Sequence, residues 1–265
     1  MDKVAVIVTH HKTGTVWMGQ VFRKIATALE IPFVVAGRDK GATPLTPPLV
    51  LGAANASFVS SYPGADMRQD HLRFLHVIRD PRDIWISAMH YHLLANEKWL
   101  HRPQDRLGGK TLQQGLNALA TERERYLFEM TYGLPQNLAN MVSWDKSLPN
   151  SVECRYEDMI ADVEGTRFRE TARHLGFDAR EIPVCAEAFW KQSIFGGKAD
   201  RKSAHVRSGA ARQWPSVFDR SLAIAFEEQH GAALVTLGYE RDSSWIDTVP
   251  ENNPTLDRRL TPEAG

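Results

Sequence analysis

The stretch Val4–Leu29 constrains the fold more than any other part of the sequence: it reads VAVIVTHHKTGTVWMGQVFRKIATAL. The uninterrupted apolar run from Val4 to Val8 predicts a strand that is buried on both faces of a parallel sheet. A short polar turn follows, and apolar residues then recur at helical spacing, at Trp17, Met18, Val21, Phe22, Ile25, Ala26 and Leu29. The sequence therefore predicts a strand, a loop and a helix in direct succession, and with them an α/β fold with a central parallel sheet flanked by helices.

The loop between this strand and this helix has the composition of an anion site. A helix N-terminus presents unpaired backbone N–H groups and a partial positive charge, so Lys12, Thr13, Gly14 and Thr15 would wrap an anionic group. Gly14 would allow close backbone approach to the ligand or a positive φ. The lysine precedes the glycine, which is the wrong order for a nucleotide-triphosphate P-loop. At this point a generic anion loop and simple strand–turn–helix packing both remain open.

A second segment with a similar design lies further along the chain. Phe74 to Ile78 predicts another buried strand, and Arg79 follows it directly. Asp80 suits a helix N-cap and Pro81 the first helical position, so we expect Arg79 at the carboxyl end of a parallel strand, where open α/β sheets bind ligands. Ser87 lies near the start of the same helix. This arginine and hydroxyl could hold a second phosphate; a surface pair of Arg79 with Asp83, with Ser87 as filler, remains open.

The rest of the chain shows the same alternation of strand and helix patterns. Further strands are predicted at 31–35, 56–60 and 151–156, and helices at 81–99, 164–175, 183–192 and 218–237, with 111–144 largely helical. We expect one domain over residues 1–242, because no long low-complexity linker interrupts it. The polar, proline-containing segment 243–265 is predicted to be a mobile tail.

The bulk composition excludes several classes of protein. The 265 residues carry 32 basic and 32 acidic side chains, so we expect neither a nucleic-acid nor a membrane partner. Two cysteines are too few for a disulfide framework and fit a reducing compartment. No metal-ligand spacing is present, and no apolar stretch approaches membrane-spanning length. The sequence thus predicts a cytoplasmic protein without a bound metal.

At this stage a resemblance becomes clear. HKTGTVW resembles the PKSGTTW loop of the sulfotransferases that use 3′-phosphoadenosine 5′-phosphosulfate (PAPS). LHVIRDPRDIWISAMHYH is similar to the segment of that family that binds the 3′-phosphate, with a serine eight residues after the arginine. The resemblance implies a P-loop-like sulfotransferase fold over 1–242 and PAPS as sulfuryl donor. It implies that Arg79 and Ser87 bind the 3′-phosphate. It also places the following residues around the 5′ end and the purine: Lys12, Thr13, Gly14, Thr15, Val16 and Trp17.

Three shorter segments extend the resemblance. The tetrad Tyr156-Glu157-Asp158-Met159 is similar to the YEDM of cytosolic sulfotransferases, whose tyrosine sits beside the adenine. Ser193 and Phe195 resemble a Thr-Ser-Phe segment along the adenine. The stretch 206–214 resembles the Arg-Lys-Gly-x-x-Gly-x-Trp loop that closes over the 3′-phosphate, which implies that role for Arg207, Ser208 and Gly209, although Ser208 replaces the lysine and Ala211 the second glycine.

The function that the resemblance implies is transfer of the sulfuryl group to a hydroxyl, or less readily an amine, of a small-molecule or carbohydrate acceptor. Lys12 would stabilise the leaving phosphate. The two usual base positions hold Ser61 and Gln20, so His11 is the best-placed substitute, with a purely structural His11 left open. A P-loop kinase and a non-catalytic binder of PAPS or of 3′,5′-bisphosphate are the alternatives.

Overall fold

The computed structural model describes residues 1–37, 43–133, 135–196 and 210–259. These form two compact units, a sheet unit of residues 1–79 with 143–196 and a helical unit of residues 80–142 with 210–259. Within the described chain, the elements run in this order: β1 (Val4–Thr9), α1 (Thr15–Ala28), β2 (Phe33–Val35), β3 (Leu49–Ala54), α2 (Asn55–Ser61), β4 (Leu72–Ile78), α3 (Pro81–Leu94), 3₁₀ turns at Lys98–His101 and Asp105–Leu107, α4 (Leu112–Asn117), α5 (Glu122–Tyr132), α6 (Pro135–Val142), β5 (Ser151–Arg155), α7 (Tyr156–Ala161), α8 (Thr166–His174), α9 (Ile182–Gln192), α10 (Trp214–Val217), α11 (Arg220–Thr236) and a 3₁₀ turn at Ser243–Thr248.

The sheet unit is built on five parallel strands in the order β2-β3-β1-β4-β5. β1 is central and buried along its whole length, as its uninterrupted apolar run predicts. Its alternate residues face opposite sides of the sheet: Ala5 and Ile7 pack into one core cluster, and Val4, Val6 and Val8 into another. The predicted α/β class, a central parallel sheet flanked by helices, is confirmed.

Helices on one side of the sheet bury aromatic residues against it. Phe22 of α1 lies 5.9 Å, centroid to centroid, from Phe168 of α8, and Phe168 stacks on Phe189 of α9 at 4.2 Å. All three rings are almost fully buried. Because each buried phenylalanine contributes roughly 1.5–3 kcal/mol, this cluster fixes α1, and with it the loop that precedes α1, against the sheet.

One predicted strand is wrong. Residues 56–60 lie in helix α2, and the strand of this region is β3, which pairs with β1 from Val4 opposite Leu49 onward. The apolar run Leu49–Leu51 was the true strand signal, but the prolines at 47 and 48 made the segment resemble a loop. The helix predicted for 81–99 also ends early, at Leu94.

The helical unit has its own aromatic core. Trp85 of α3 packs edge-on against Phe226 of α11 at 4.5 Å, and Trp245 lies 6.0 Å from the same ring. Trp245, Val249 and Leu256 are buried, and the amide of Arg123 donates to the carbonyl of Leu256. The prediction of a mobile tail is therefore corrected for residues 243–259, whose apolar side chains complete this core. The assignment of 1–242 as one sulfotransferase domain stays a prediction.

The described residues contain neither a membrane-spanning helix nor a cluster of metal-binding side chains. None of their helices combines the length and the apolar character needed to cross a membrane. Among the same residues, no group of three or more histidine, cysteine, aspartate or glutamate side chains is arranged to hold a metal ion.

Candidate functional site

The loop from His10 to Thr15, called here the phosphate loop, connects β1 to α1 in the sheet unit. Gly14 is the N-cap of α1 with φ 95°, and Lys12 also has a positive φ, 66°. A Cβ atom at residue 14 would lie 3.2 Å from Cδ2 of Tyr156, so glycine is needed both for its φ and for space. The first turn of α1 holds no acidic residue and no side chain caps it. The N-terminus of this 14-residue helix therefore keeps its capacity to bind an anion.

The phosphate loop is held from inside by the backbone of His10. The carbonyl of His10 accepts from the amide of Thr13 at 3.1 Å, from the Thr13 hydroxyl at 2.9 Å and from the Thr15 hydroxyl at 2.8 Å. The amide of His10 in turn donates to Oγ1 of Thr13 at 2.9 Å. The hydroxyl groups of Thr13 and Thr15, which the sequence predicted to wrap an anion, therefore donate their hydrogens to the backbone of the loop itself.

The second predicted phosphate segment reaches this loop. Arg79, which is 5% exposed, donates from a terminal nitrogen to the carbonyl of Lys12 at 3.1 Å. Its guanidinium carbon lies 4.5 Å from the ring centre of Tyr156, a cation–π distance. Trp17 meets the same ring edge-on at 6.1 Å. The structure thus brings together Lys12, Gly14, Trp17, Arg79 and Tyr156, which the sequence placed in three separate motifs.

The two residues predicted along the adenine lie at the end of α9. Ser193 is 1% exposed, and its hydroxyl donates to the carbonyl of Trp190 and accepts from the amide of Gly196. Phe195 is half-buried and lies 6.2 Å from Phe189, whose ring is also 5.4 Å from Trp17. Ser193 therefore shapes the turn after α9, and Phe195 belongs to the aromatic cluster next to Trp17.

The remaining predicted 3′-phosphate residues belong to the helical unit or fall outside the description. Ser87 lies half-buried on α3. Arg207, Ser208 and Gly209 lie outside the described residues. Asp83, on the first turn of α3, accepts from the backbone amides of Gln213 and Trp214 at 2.9 and 3.0 Å, so it anchors the chain at the end of the predicted loop.

The three positions considered for the general base differ in how far their side chains are buried. His11 is half-buried within the phosphate loop, Ser61 is half-buried at the end of α2 and Gln20 is exposed on α1. His90 pairs with the hydroxyl of Tyr126 at 3.2 Å. His92 is fully buried against Glu129. These contacts tie His90 and His92 to helix α5 within the helical unit.

Sequence reasoning missed a chain of three polar side chains beside the phosphate loop, two of them buried histidines. His10 Nε2 lies 2.9 Å from His76 Nε2, and His76 Nδ1 lies 3.0 Å from a carboxylate oxygen of Glu153. Both rings are buried, and His76 stacks on Trp144 at 4.8 Å. The available signal was a histidine inside the apolar strand β4 and a glutamate inside β5, at positions that pair in the sheet register.

Burial controls the ionisation of this chain. Burial, with a smaller effect from His76, lowers the pKa of His10 to about 3. Burial also lowers the pKa of His76, although Glu153 offsets part of the effect. For Glu153, burial alone would raise the pKa, but the hydrogen bond from His76 and the charge of Lys146 hold it below its usual value. The two rings are therefore neutral and the carboxyl is ionised at neutral pH.

Solved structures of other proteins share the fold of this chain. No family model matches the sequence, and no curated protein matches it. Solved structures do: retinol dehydratase, in complex with androsterone and the inactive cofactor PAP, aligns with a TM-score of 0.55 at 15% identity and covers 87% of this chain and 80% of its own. The chain has the sulfotransferase fold. Mouse sulfotransferase SULT7A1, complexed with PAP, aligns with a TM-score of 0.58 at 16% identity over 92% of this chain and 90% of its own.

Proposed function

We propose that this protein is a PAPS-dependent sulfotransferase that transfers the sulfuryl group to a hydroxyl of a small-molecule or carbohydrate acceptor, and less readily to an amine. The observation that carries the proposal is the contact of Arg79 with both the Lys12 carbonyl and the Tyr156 ring. It joins two motifs that the family resemblance assigns to the two phosphate ends of one nucleotide. Both solved structures compared above hold PAP, the product of such a transfer.

The residues of the phosphate loop fit the 5′ end of such a donor. Gly14 forms a cradle that a Cβ would fill, and the uncapped first turn of α1 offers backbone N–H groups at Thr15, Val16 and Trp17. Because the hydroxyl hydrogens of Thr13 and Thr15 point at His10, we expect these threonines to shape the loop and to contribute backbone donors to the phosphate.

The adenine and the 3′-phosphate would be held by the second motif and the aromatic residues beside it. We assign the 3′-phosphate to Arg79, whose planar guanidinium can make paired hydrogen bonds. Ser87, Arg207, Ser208 and Gly209 stay predictions for the same group. The aromatic rings of Trp17, Tyr156 and Phe195 would pack on the purine, with Ser193 shaping the turn.

The chemistry requires charge stabilisation and one proton transfer. PAPS supplies the sulfuryl group: a bond forms between the acceptor oxygen and sulfur, and the bond from sulfur to the bridging phosphate oxygen breaks. Lys12 stabilises the charge that builds on that bridging oxygen. His11 takes the proton of the acceptor hydroxyl and passes it to water. Sulfuryl transfer thus resembles phosphoryl transfer, in which positioning and electrostatics dominate.

The proposal is tested by incubating the protein with ³⁵S-labelled PAPS, a panel of hydroxyl and amine acceptors, and EDTA. We expect label transfer without a divalent cation, and its loss in Lys12→Met. Lys24→Met is the matched control, because Lys24 is an exposed lysine on α1. Tight binding of 3′,5′-bisphosphate with no transfer to any acceptor would favour a non-catalytic binder. Phosphate transfer from ATP that needs Mg²⁺ would favour a kinase.

A further inference from the structure

Two buried histidines and a partly exposed glutamate form one continuous hydrogen-bonded chain across neighbouring strands. His76 on β4 is paired in register with Val8 of β1 on one side and with Glu153 of β5 on the other. His10 follows Val8 two residues later, so its ring reaches Nε2 of His76 at 2.9 Å. The chain therefore runs across three adjacent strands, from His10 at the start of the phosphate loop to the carboxylate of Glu153, which is 30% exposed.

The chemistry of the three groups fixes where each hydrogen lies. The ionised carboxylate of Glu153 can only accept, so His76 must carry its hydrogen on Nδ1. A neutral His76 then has an unprotonated Nε2, which accepts. His10 must therefore donate from Nε2 and carry no hydrogen on Nδ1. Glu153 thus sets the tautomer of both rings.

The backbone of His10 is the point at which this chain acts on the phosphate loop. Its carbonyl accepts three hydrogen bonds from Thr13 and Thr15, and its amide donates to Thr13. A rotation of the His10 ring would have to break its bond to His76 or move this backbone. The ring contacts therefore restrict the loop conformation that presents Lys12 and the N-terminus of α1.

We infer that His10, His76 and Glu153 act as one positioning unit that holds the phosphate loop in its anion-binding conformation, with the charge of Glu153 selecting the tautomers. The inference deepens the proposed function and rests on it only in naming 3′,5′-bisphosphate as the ligand of the loop. Protonation of His76 at Nε2 would place a hydrogen against the donor of His10 and break the chain. Binding should therefore weaken at low pH.

The charged groups around the pair agree with this arrangement. Glu153 on β5 faces His76, and Lys146, on the turn before β5, lies 3.5 Å from the other carboxylate oxygen of Glu153. Lys12 in the phosphate loop, Arg73 on β4 and Arg79 directly after β4 are basic residues of the segments that carry the two histidines. Glu153 is therefore the acidic group whose charge offsets the repulsion between a protonated His76 and these basic groups.

The test compares the parent protein with two variants. Glu153→Gln keeps the shape of the side chain but removes the charge that selects the tautomer, and His76→Leu removes the acceptor of His10. His71→Gln is the control, because His71 lies in the same unit with its ring bonded to the carbonyl of Leu45. We expect 3′,5′-bisphosphate affinity, by calorimetry at pH 7, to fall about tenfold in both variants and to change less than about twofold in the control.

Two measurements without ligand separate this inference from the proposed function. ¹⁵N NMR of the imidazole rings should show His10 protonated at Nε2 and His76 at Nδ1 in the parent, and mixed tautomers in Glu153→Gln. The Thr13 amide should exchange with solvent about tenfold faster in Glu153→Gln. If the parent binds no bisphosphate while Thr13 responds, the proposed function fails and the positioning unit stands. The opposite tautomers, unchanged Thr13 exchange, or bisphosphate affinity unchanged in both variants would overturn the inference.

The pH dependence of binding gives a further readout. A bisphosphate affinity that falls more steeply in the parent than in His76→Leu as the pH is lowered supports the chain, and identical profiles contradict it.

Discussion

The guanidinium carbon of Arg79 lies 4.5 Å from the ring centre of Tyr156, while the same side chain donates to the carbonyl of Lys12 at 3.1 Å. Arg79 directly follows β4, Lys12 follows β1 and Tyr156 follows β5, and these three strands are neighbours in the sheet. Parallel strands bring their carboxyl ends to one edge of a sheet. This geometry is why residues far apart in the sequence meet there.

Arg79→Lys should weaken the binding of 3′,5′-bisphosphate about tenfold, and Arg79→Met about a hundredfold, because an ammonium can neither stack on Tyr156 nor bond in a planar fork. Calorimetry measures both values. Arg73→Lys is the control, since the side chain of Arg73 on β4 donates to the nearby carbonyls of Asp70 and Leu72. Equal affinities in Arg79→Lys and the parent would remove Arg79 from the phosphate site.

His11→Ala should slow sulfuryl transfer by about two orders of magnitude while bisphosphate affinity stays within about threefold. The reason is that a general base acts on the acceptor proton and not on donor binding. Single-turnover rates with labelled PAPS measure the effect, and His101→Ala, at an exposed histidine, is the control. Comparable rates in His11→Ala and the parent would reject this role and leave His11 structural.

Gly14→Ala should lower stability by about 1–2 kcal/mol, because an L-residue at φ 95° is strained and its Cβ would lie 3.2 Å from Tyr156. Bisphosphate affinity should fall with it. Gly19→Ala is a matched control on the same helix, where a Cβ meets no atom within 4 Å, and it should raise stability by about 0.5–1 kcal/mol. Denaturant unfolding measures both changes. A Gly14→Ala protein as stable as the parent would contradict the strained φ.

Stability should fall as the pH is lowered from about 6.5 towards 3. The pKa of His10 is lowered in the folded protein, so in this window the unfolded chain binds the proton that the folded chain refuses, and unfolding is favoured. The slope per bound proton is at most about 1.4 kcal/mol per pH unit. Urea unfolding at several pH values measures it, and His10→Gln should show a shallower slope than the parent. The same slope in both proteins would assign the effect to other groups.

Arg123→Met should destabilise the protein by about 3 kcal/mol, because Arg123 forks onto Asp219, which is only 1% exposed, and its removal leaves that carboxylate buried without its cation. Arg123 also bonds the exposed Asp257, which follows the buried Leu256. Asp257→Asn is the matched control and should have a much smaller effect, since its partner stays paired with Asp219. Thermal unfolding separates the two. Equal losses would show that the pair with Asp219 does not dominate.

Much of the architecture could be read from local patterns. The apolar run of β1, the helical spacing of α1 and the capping sequence at Asp80 and Pro81 each depend on residues near one another in the chain, so their local structure followed directly. β3 was missed because prolines next to an apolar run favour a loop locally, and only pairing with β1 and β2 makes it a strand. The segment 243–259 was misread because its few apolar residues are buried by distant helices.

The sequence by itself determined the order of β1, phosphate loop and α1, the strand and helix start on either side of Arg79, and the expectation of a positive φ at Gly14. The tertiary structure decided that Arg79 meets Tyr156 and Lys12, that the threonine hydroxyls bond to His10, and that His10, His76 and Glu153 form one chain. The physical reason is the distance along the sequence over which each kind of interaction acts. Periodicity and capping act over a few residues, whereas the partner of a buried polar group is set by strand order and register, which arise only when the whole sheet assembles.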